Sequence, residues 1–359
     1  MILIQLYPFV YCDVINNKYI FLCNTFSKET KVLHFKKKIS ILKLNAFILE
    51  ECGVNKDLAE EIKGSFWGIV DTSISVPPDL LIDYPTELFD FYHLFFTEQW
   101  DNQFVAKTFV SRLIVNMSNH MDMFSYKINK YQDSPLITKE RIHLLRDKYS
   151  KLEKLSAVVF NLPIYDYLSF KNIIPNMQKG QLHIVVPSLD GVFRNDINNI
   201  IQSHQQVTVR ILVRNISDYK RLEKWNFINN EHIRVGVSPN STRQDLDRLL
   251  CYEIKNLLKP SLSIYSMIRN EWYNALYWGS LYINANGKVM MNEKDCIGNI
   301  EAWDDIQFSK LLSDKSIWRD VRNKHRICKN CYYRNLCPPV SEIERHTQGV
   351  FCTLRKKSK

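Results

Sequence analysis

The sequence predicts an α/β protein in three parts, on three observations: short alternating strands in the first 75 residues, a strand-helix rhythm between residues 104 and 261, and four clustered cysteines within 262–359. A chain of 359 residues exceeds one ordinary core, so several units are expected. The first stretch, Met1 to Val14, is apolar but carries Pro8 and Asp13, lacks a basic start and reads as a strand, not a signal peptide. No apolar run is long enough to span a bilayer, and a cytoplasmic protein without membrane partners is expected.

In chain order, Ile4 to Cys12, Tyr19 to Cys23 and Lys31 to Phe35 alternate as antiparallel strands, separated by Asn16-Asn17 and by Ser27 to Glu29. After Lys38, the spacing of Ile39, Leu42, Leu44 and Phe47 to Leu49 predicts a helix, and Asn55 is placed to cap a second over Lys56 to Ile62, stopped by Gly64. Three strands followed by helices describe a winged-helix-like module. Residues 65–103, with Pro77, Pro78 and Pro85, read as a packed connector with no assigned role. Strands are predicted at Arg112 to Met117, Ala157 to Leu162, Leu182 to Pro187, Val207 to Val213 and His232 to Val237. Helices are predicted at Thr138 to Leu152, Asn195 to His204, Ser217 to Trp225 and Ser241 to Leu258, with Thr138, Ser217 and Ser241 as N-caps. Five strands are too few for a closed eight-stranded barrel, so an open, partial βα barrel is expected. Ser280 to Met291 reads as a hairpin turning at Asn286-Gly287.

Nine cysteines are spaced unevenly, with none between Cys52 and Cys251, which suits a metal site in a reducing compartment better than a disulfide framework. Cys328, Cys331, Cys337 and Cys352 make the pattern C-x2-C-x5-C-x14-C. Two thiolates across a tight turn and two more from farther along the chain can close a four-ligand set. On spacing alone this is more often structural zinc than an iron-sulfur cluster, and both stay open. From Val321 to Lys359, ten Lys or Arg stand against two Glu, most of the chain's net charge of +10. Such a patch either offsets the thiolate charge or meets an acidic partner. The carboxylate pairs Asp304-Asp305, Glu60-Glu61 and Glu342/Glu344 have no positioned acid-base partner and read as surface.

The run from Cys328 to Ser341, preceded by Gly287-Lys-Val and by Ile297-Gly298-Asn299-Ile300, resembles the SPASM domain of radical SAM peptide maturases. That resemblance implies that Cys328, Cys331, Cys337 and Cys352 hold the second auxiliary cluster, and it turns the expected cofactor from zinc to 4Fe-4S. It also implies that the first auxiliary cluster is lost. Ser341 stands where that site's cysteine would close the block, Asn292 stands at another of its positions, and Cys296 alone could not hold a cluster. A radical SAM enzyme needs C-x3-C-x2-C after its first barrel strand. This chain reads Ser118-Asn-His-Met-Asp-Met there, with His120 a structural loop histidine, and the motif is absent.

With Leu6-Tyr-Pro-Phe-Val-Tyr11 and Asn24-Thr25, the layout is similar to pseudo-radical SAM proteins of bacteroidal glycine-glycine peptide maturation. What this implies is a non-catalytic accessory in ribosomal peptide (RiPP) maturation, made of a PqqD-like precursor-peptide recognition module over 1–75, a degenerate radical SAM-like barrel over 104–261 and a SPASM-like domain over 262–359. Its expected partners are a precursor leader peptide and a true radical SAM maturase. The leader would add as a strand at Val32, Leu33, His34 and Phe35. The alternatives are an iron-sulfur enzyme or electron-transfer protein of unrecognised chemistry and a zinc-stabilised nucleic-acid binder. Lys36 to Lys38 is a short charge run, so nucleic acid is the weaker expectation.

Overall fold

A computed structural model describes residues 1–7, 9–43, 46–65, 67–71, 100–124, 126–127, 136–149, 151–170, 180–204, 206–250, 263–347, 349 and 351–352. They form two compact units, each assembled from separated stretches of chain. One is Met1–Glu98, Glu253–Ala275 and Val321–Pro339; the other is Gln99–Tyr252, Leu276–Asp320 and Val340–Lys359. The segment 262–359 is therefore divided between the two, and Cys328, Cys331 and Cys337 fold with the N-terminal strands. Among the described residues no helix is long and apolar enough to cross a membrane.

The first unit holds two antiparallel sheets. β5 (Ile39–Lys43), β6 (Ala46–Leu49), β1 (Ile2–Leu6) and β7 (Gly68–Asp71) pair in that order, and β2 (Val10–Ile15), β3 (Tyr19–Asn24) and β4 (Thr30–His34) form the second sheet. The Asn16-Asn17 turn is as the residues predict: both take positive φ, 54° and 50°, which asparagine tolerates better than most. Two expectations are corrected. The expected strand Ile4 to Cys12 is split between β1 and β2, which belong to different sheets. Residues 39–43 and 46–49 pair as the strands β5 and β6 instead of forming a helix, because Ile39, Phe47 and Leu49 are needed on one face of a sheet to cover Ile2 and Ile4. The module thus carries seven strands and one described helix, α1 (Gly53–Gly64), where three strands and two helices were expected. Cys52 occupies the α1 N-cap position. Asn55 lies inside the helix, fully buried, with Oδ1 accepting from Lys36 N (2.9 Å) and Nδ2 donating to Lys36 O (2.8 Å) and Glu50 O (2.6 Å). It ties the chain just after β4 to the helix.

The second unit is mixed α/β with a partly parallel sheet in the order β12-β11-β10-β9-β8-β13-β14-β15. β8 (Arg112–Asn116), β9 (Ala157–Pro163), β10 (Gly180–Val186), β11 (Val207–Val213) and β12 (Ile233–Val237) are parallel, close to their expected positions. β13 (Ser280–Ile283) extends them in parallel beside β8, and β14 (Lys288–Met290) and β15 (Cys296–Asn299) return antiparallel. The predicted hairpin therefore forms and joins the large sheet. α2 (Asn102–Phe109), α3 (Lys139–Tyr149), α4 (Arg194–Ser203) and α5 (Ile216–Lys224) send Val105, Leu145, Ile197 and Leu222 into a core with alternate strand residues such as Val115, Phe160, Ile184 and Ile211. Asn215 caps α5, and Thr242 caps α6 (Arg243–Leu249); the expected caps Ser217 and Ser241 lie two residues late and one residue early. Asparagine and threonine at those sites already accept the N3 amide.

Candidate functional site

β4 is the outer strand of its sheet, with no strand beyond it among the described residues. Its register with β3 pairs Leu33 with Ile20 and Lys31 with Leu22, and the flanking bonds Asn24 N to Glu29 O (3.0 Å) and Phe35 N to Lys18 O (3.0 Å) set the phase of the ladder. By the alternation of antiparallel pairing, Lys31 and Leu33 turn their backbone groups toward β3, while Thr30, Val32 and His34 turn theirs outward. Val32 is 39% exposed and His34 is exposed. Of the four residues expected to dock a peptide, Leu33 and Phe35 are buried in the core and Val32 and His34 face out.

The face of β2 and β3 away from α1 is covered by helix α7 (Ile264–Trp272) and by the loop between Cys331 and Cys337. Ser263 caps α7, whose Ile264, Met267 and Ile268, at i, i+3 and i+4, pack with Tyr11, Ile15, Phe21, Cys23 and Leu336. The loop is pinned by polar contacts. Arg334 Nη2 donates to Asp13 Oδ1 (2.7 Å), Arg334 Nη1 to Lys329 O (2.6 Å), and Asn335 Nδ2 to Tyr11 Oη (2.6 Å) and Asp13 Oδ2 (3.2 Å). Asp13 is 7% exposed, and removing one partner of so buried an ion pair typically costs about 3–5 kcal/mol. Burial raises the Asp13 carboxyl to about 6 against the pull of Arg334. Burial first, and Asp13 second, raise Glu271 of α7 to about 7. Burial and the Asp13 charge also push the Cys12 thiol up, and burial lifts Cys23 to about 11, so neither is a ready thiolate. This clamp was missed in the sequence, although an aspartate inside the strand Val10–Ile15 was a signal, since strands rarely take Asp unless it has a partner.

Cys328 is buried, Cys331 and Cys337 are half-buried, and Arg322 Nη1 lies 3.8 Å from Cys328 Sγ. Cys352 belongs to the second unit. Among the described residues no three or more His, Cys, Asp or Glu side chains gather as a metal-holding group.

In the second unit the positions read as a lost cluster serve turns and caps. Asn292 Oδ1 accepts from Lys294 N and Asp295 N (both 2.8 Å), and its Nδ2 donates to Lys315 O (3.0 Å). Ser341 Oγ accepts from Glu344 N (3.4 Å) while Glu344 Oε2 accepts from Ser341 N (3.1 Å), a reciprocal cap for the short helix α8 (Glu342–Thr347). Glu342 and Glu344 are thus not simple surface, which corrects the expectation. Glu344 is buried, and Glu342 Oε1 accepts from Arg210 Nη1 (3.2 Å).

That Arg210 contact lies on the face of the parallel sheet opposite the helices. Arg210 stacks over Tyr126 at 4.5 Å, His183 Nδ1 meets Asn161 Oδ1 at 2.7 Å, and burial and then Arg210 hold His183 down near 3, a neutral imidazole. The segment after β8 folds back over this face: Met121 packs on Val185 and Leu212, and Asn116 Nδ2 donates to Ser118 O and Met121 O (both 2.8 Å). His120 is paired, with Nδ1 3.0 Å from Asp166 Oδ2.

No protein-family model and no curated protein matches the chain. Among solved structures, the crystal structure of Streptococcus suis SuiB bound to precursor peptide SuiA aligns over 93% of this chain and 94% of that one, at 9% identity and a TM-score of 0.33. That score is too low for the likeness to define fold or function.

Proposed function

We propose that this chain is a non-catalytic, pseudo-radical SAM accessory of ribosomal peptide maturation, which captures an extended precursor leader along β4 and presents it to a partner radical SAM maturase. The observation that carries the reading is the outer strand β4, whose Val32 and His34 backbone groups point away from β3 and can pair with an added strand. The absence of C-x3-C-x2-C supports a role without S-adenosylmethionine cleavage. The test is titration of a labelled leader against two proline variants. Val32→Pro removes an outward donor and should abolish binding with the melting temperature little changed, because edge strands tolerate proline. Leu33→Pro removes a bond to β3 and should unfold the sheet. Full affinity in a folded Val32→Pro variant would sink the docking edge.

The cofactor belongs to the proposal as well: a 4Fe-4S cluster on Cys328, Cys331, Cys337 and Cys352, carried by the C-x2-C-x5-C-x14-C spacing and the family resemblance. Anaerobically purified protein should contain about four irons and four sulfides per chain. Stoichiometric zinc without sulfide would replace the cluster with a structural zinc site, and neither metal would end the proposal.

A further inference from the structure

The Cys331–Cys337 loop is joined to the outer strand by two columns of side chains. His34 of β4 pairs across the ladder with Tyr19 of β3, ring centroids 5.3 Å apart, and Tyr19 meets Tyr332 of the loop edge-on at 5.9 Å. Two residues along, Val32 pairs with Phe21, and Phe21 meets Tyr333 edge-on at 5.7 Å. Tyr19–His34 and Phe21–Val32 are the non-hydrogen-bonded pairs, where side chains approach most closely. The columns stand on a loop held by Arg334 and Asn335 against Asp13 and Tyr11.

We propose that this loop is part of the peptide site. A strand added to β4 turns alternate side chains to the face that carries Val32 and His34, where the next positions inward are Tyr19 and Phe21 and behind them Tyr332 and Tyr333. The shelf selects aromatic or aliphatic residues at every second position of the bound peptide. Charge defines the rest of the partner. Lys28, Lys36, Lys37 and Lys38 are exposed at the two ends of β4, against Glu29 beside it and Glu50, which lies 3.8 Å from Lys37. The occupant is therefore an extended acidic peptide with alternating apolar residues. This rests on β4 being the docking edge and adds which residues read the peptide.

The experiment uses the full chain and fluorescein-labelled heptapeptides followed by anisotropy: Glu-Val-Glu-Phe-Glu-Val-Glu, its counterpart with alanine at the apolar positions, and its counterpart with lysine for glutamate. Wild type should bind the first peptide about ten-fold more tightly than the alanine peptide. It should also bind it more tightly than the lysine peptide, with the second gap closing as salt is raised. Tyr332→Ala should erase the preference for phenylalanine over alanine, and Tyr332→Phe, which keeps the ring, should retain it. Thermal melts of both variants exclude unfolding. Were Tyr332→Ala to keep the preference while Val32→Pro loses all binding, the edge would stand and the shelf would be overturned. Should no peptide bind wild type, or Val32→Pro bind as wild type does, the docking edge itself fails and the shelf with it.

Discussion

Asp13 is paired with Arg334 in the polar patch beneath the cysteine loop, and Glu271 lies within the electrostatic reach of both. Tyr11 and Cys12 adjoin it, and burial followed by the Asp13 charge raises both of their pKa values as well, so the patch resists a second negative charge. A carboxyl that binds its proton more tightly folded than unfolded contributes stability below its unfolded pKa and loses it as pH climbs through the folded value. With Asp13 at about 6 and Glu271 at about 7, that loss falls between roughly pH 4 and 8. Acidification from about pH 8 to 5 should therefore stabilise the first unit by roughly 1–3 kcal/mol. Glu271→Gln leaves Asp13 alone with Arg334 and should flatten the dependence. Chemical denaturation across this range measures it, and an equal slope in both proteins would show that Glu271 contributes nothing to it. This patch was not legible in the sequence. Asp13 stood out in an apolar strand, but nothing along the chain linked it to Arg334, more than three hundred residues away.

Among elements, those with local causes were the ones the sequence showed. The five parallel strands lie in apolar runs bounded by polar turns, and each was placed within about two residues. The Asn286-Gly287 turn was legible because Gly287 needs φ of +80°, and a Cβ there would lie 2.8 Å from Glu301 Oε2. The segment 39–49 was misread because a short apolar run carries both periods, and tertiary pairing of β6 with β1 decides between them. The outward-facing residues of β4 were not legible for a related reason. Alternation identified the strand at Val32 to Phe35, but which of its residues turn outward depends on the register with β3, set by the turn closed by the Asn24 N to Glu29 O bond.

The whole molecule is where sequence order misleads most, because domains read as consecutive blocks are built from interleaved stretches. Residues 1–75 read as an independent recognition module, yet one face of β2 and β3 is completed by 264–272 and 331–337. Without those stretches Tyr11, Ile15, Phe21 and Cys23 lose their cover and Asp13 loses Arg334. Each large apolar side chain returned to water forfeits roughly 1.5–3 kcal/mol, so a few of them rival the 5–15 kcal/mol that holds a typical domain together. A fragment of residues 1–75 is therefore expected to lack a cooperative thermal transition and a dispersed amide spectrum, while the full chain shows both. The notion of a cysteine loop that could be lost without consequence for the peptide edge would follow only if that fragment melted sharply and bound the Glu-Val-Glu-Phe-Glu-Val-Glu peptide as the full chain does. Failure to fold would make the loop a structural requirement of the edge, and Tyr332→Ala in the folded full chain would then separate its part in recognition from its part in stability.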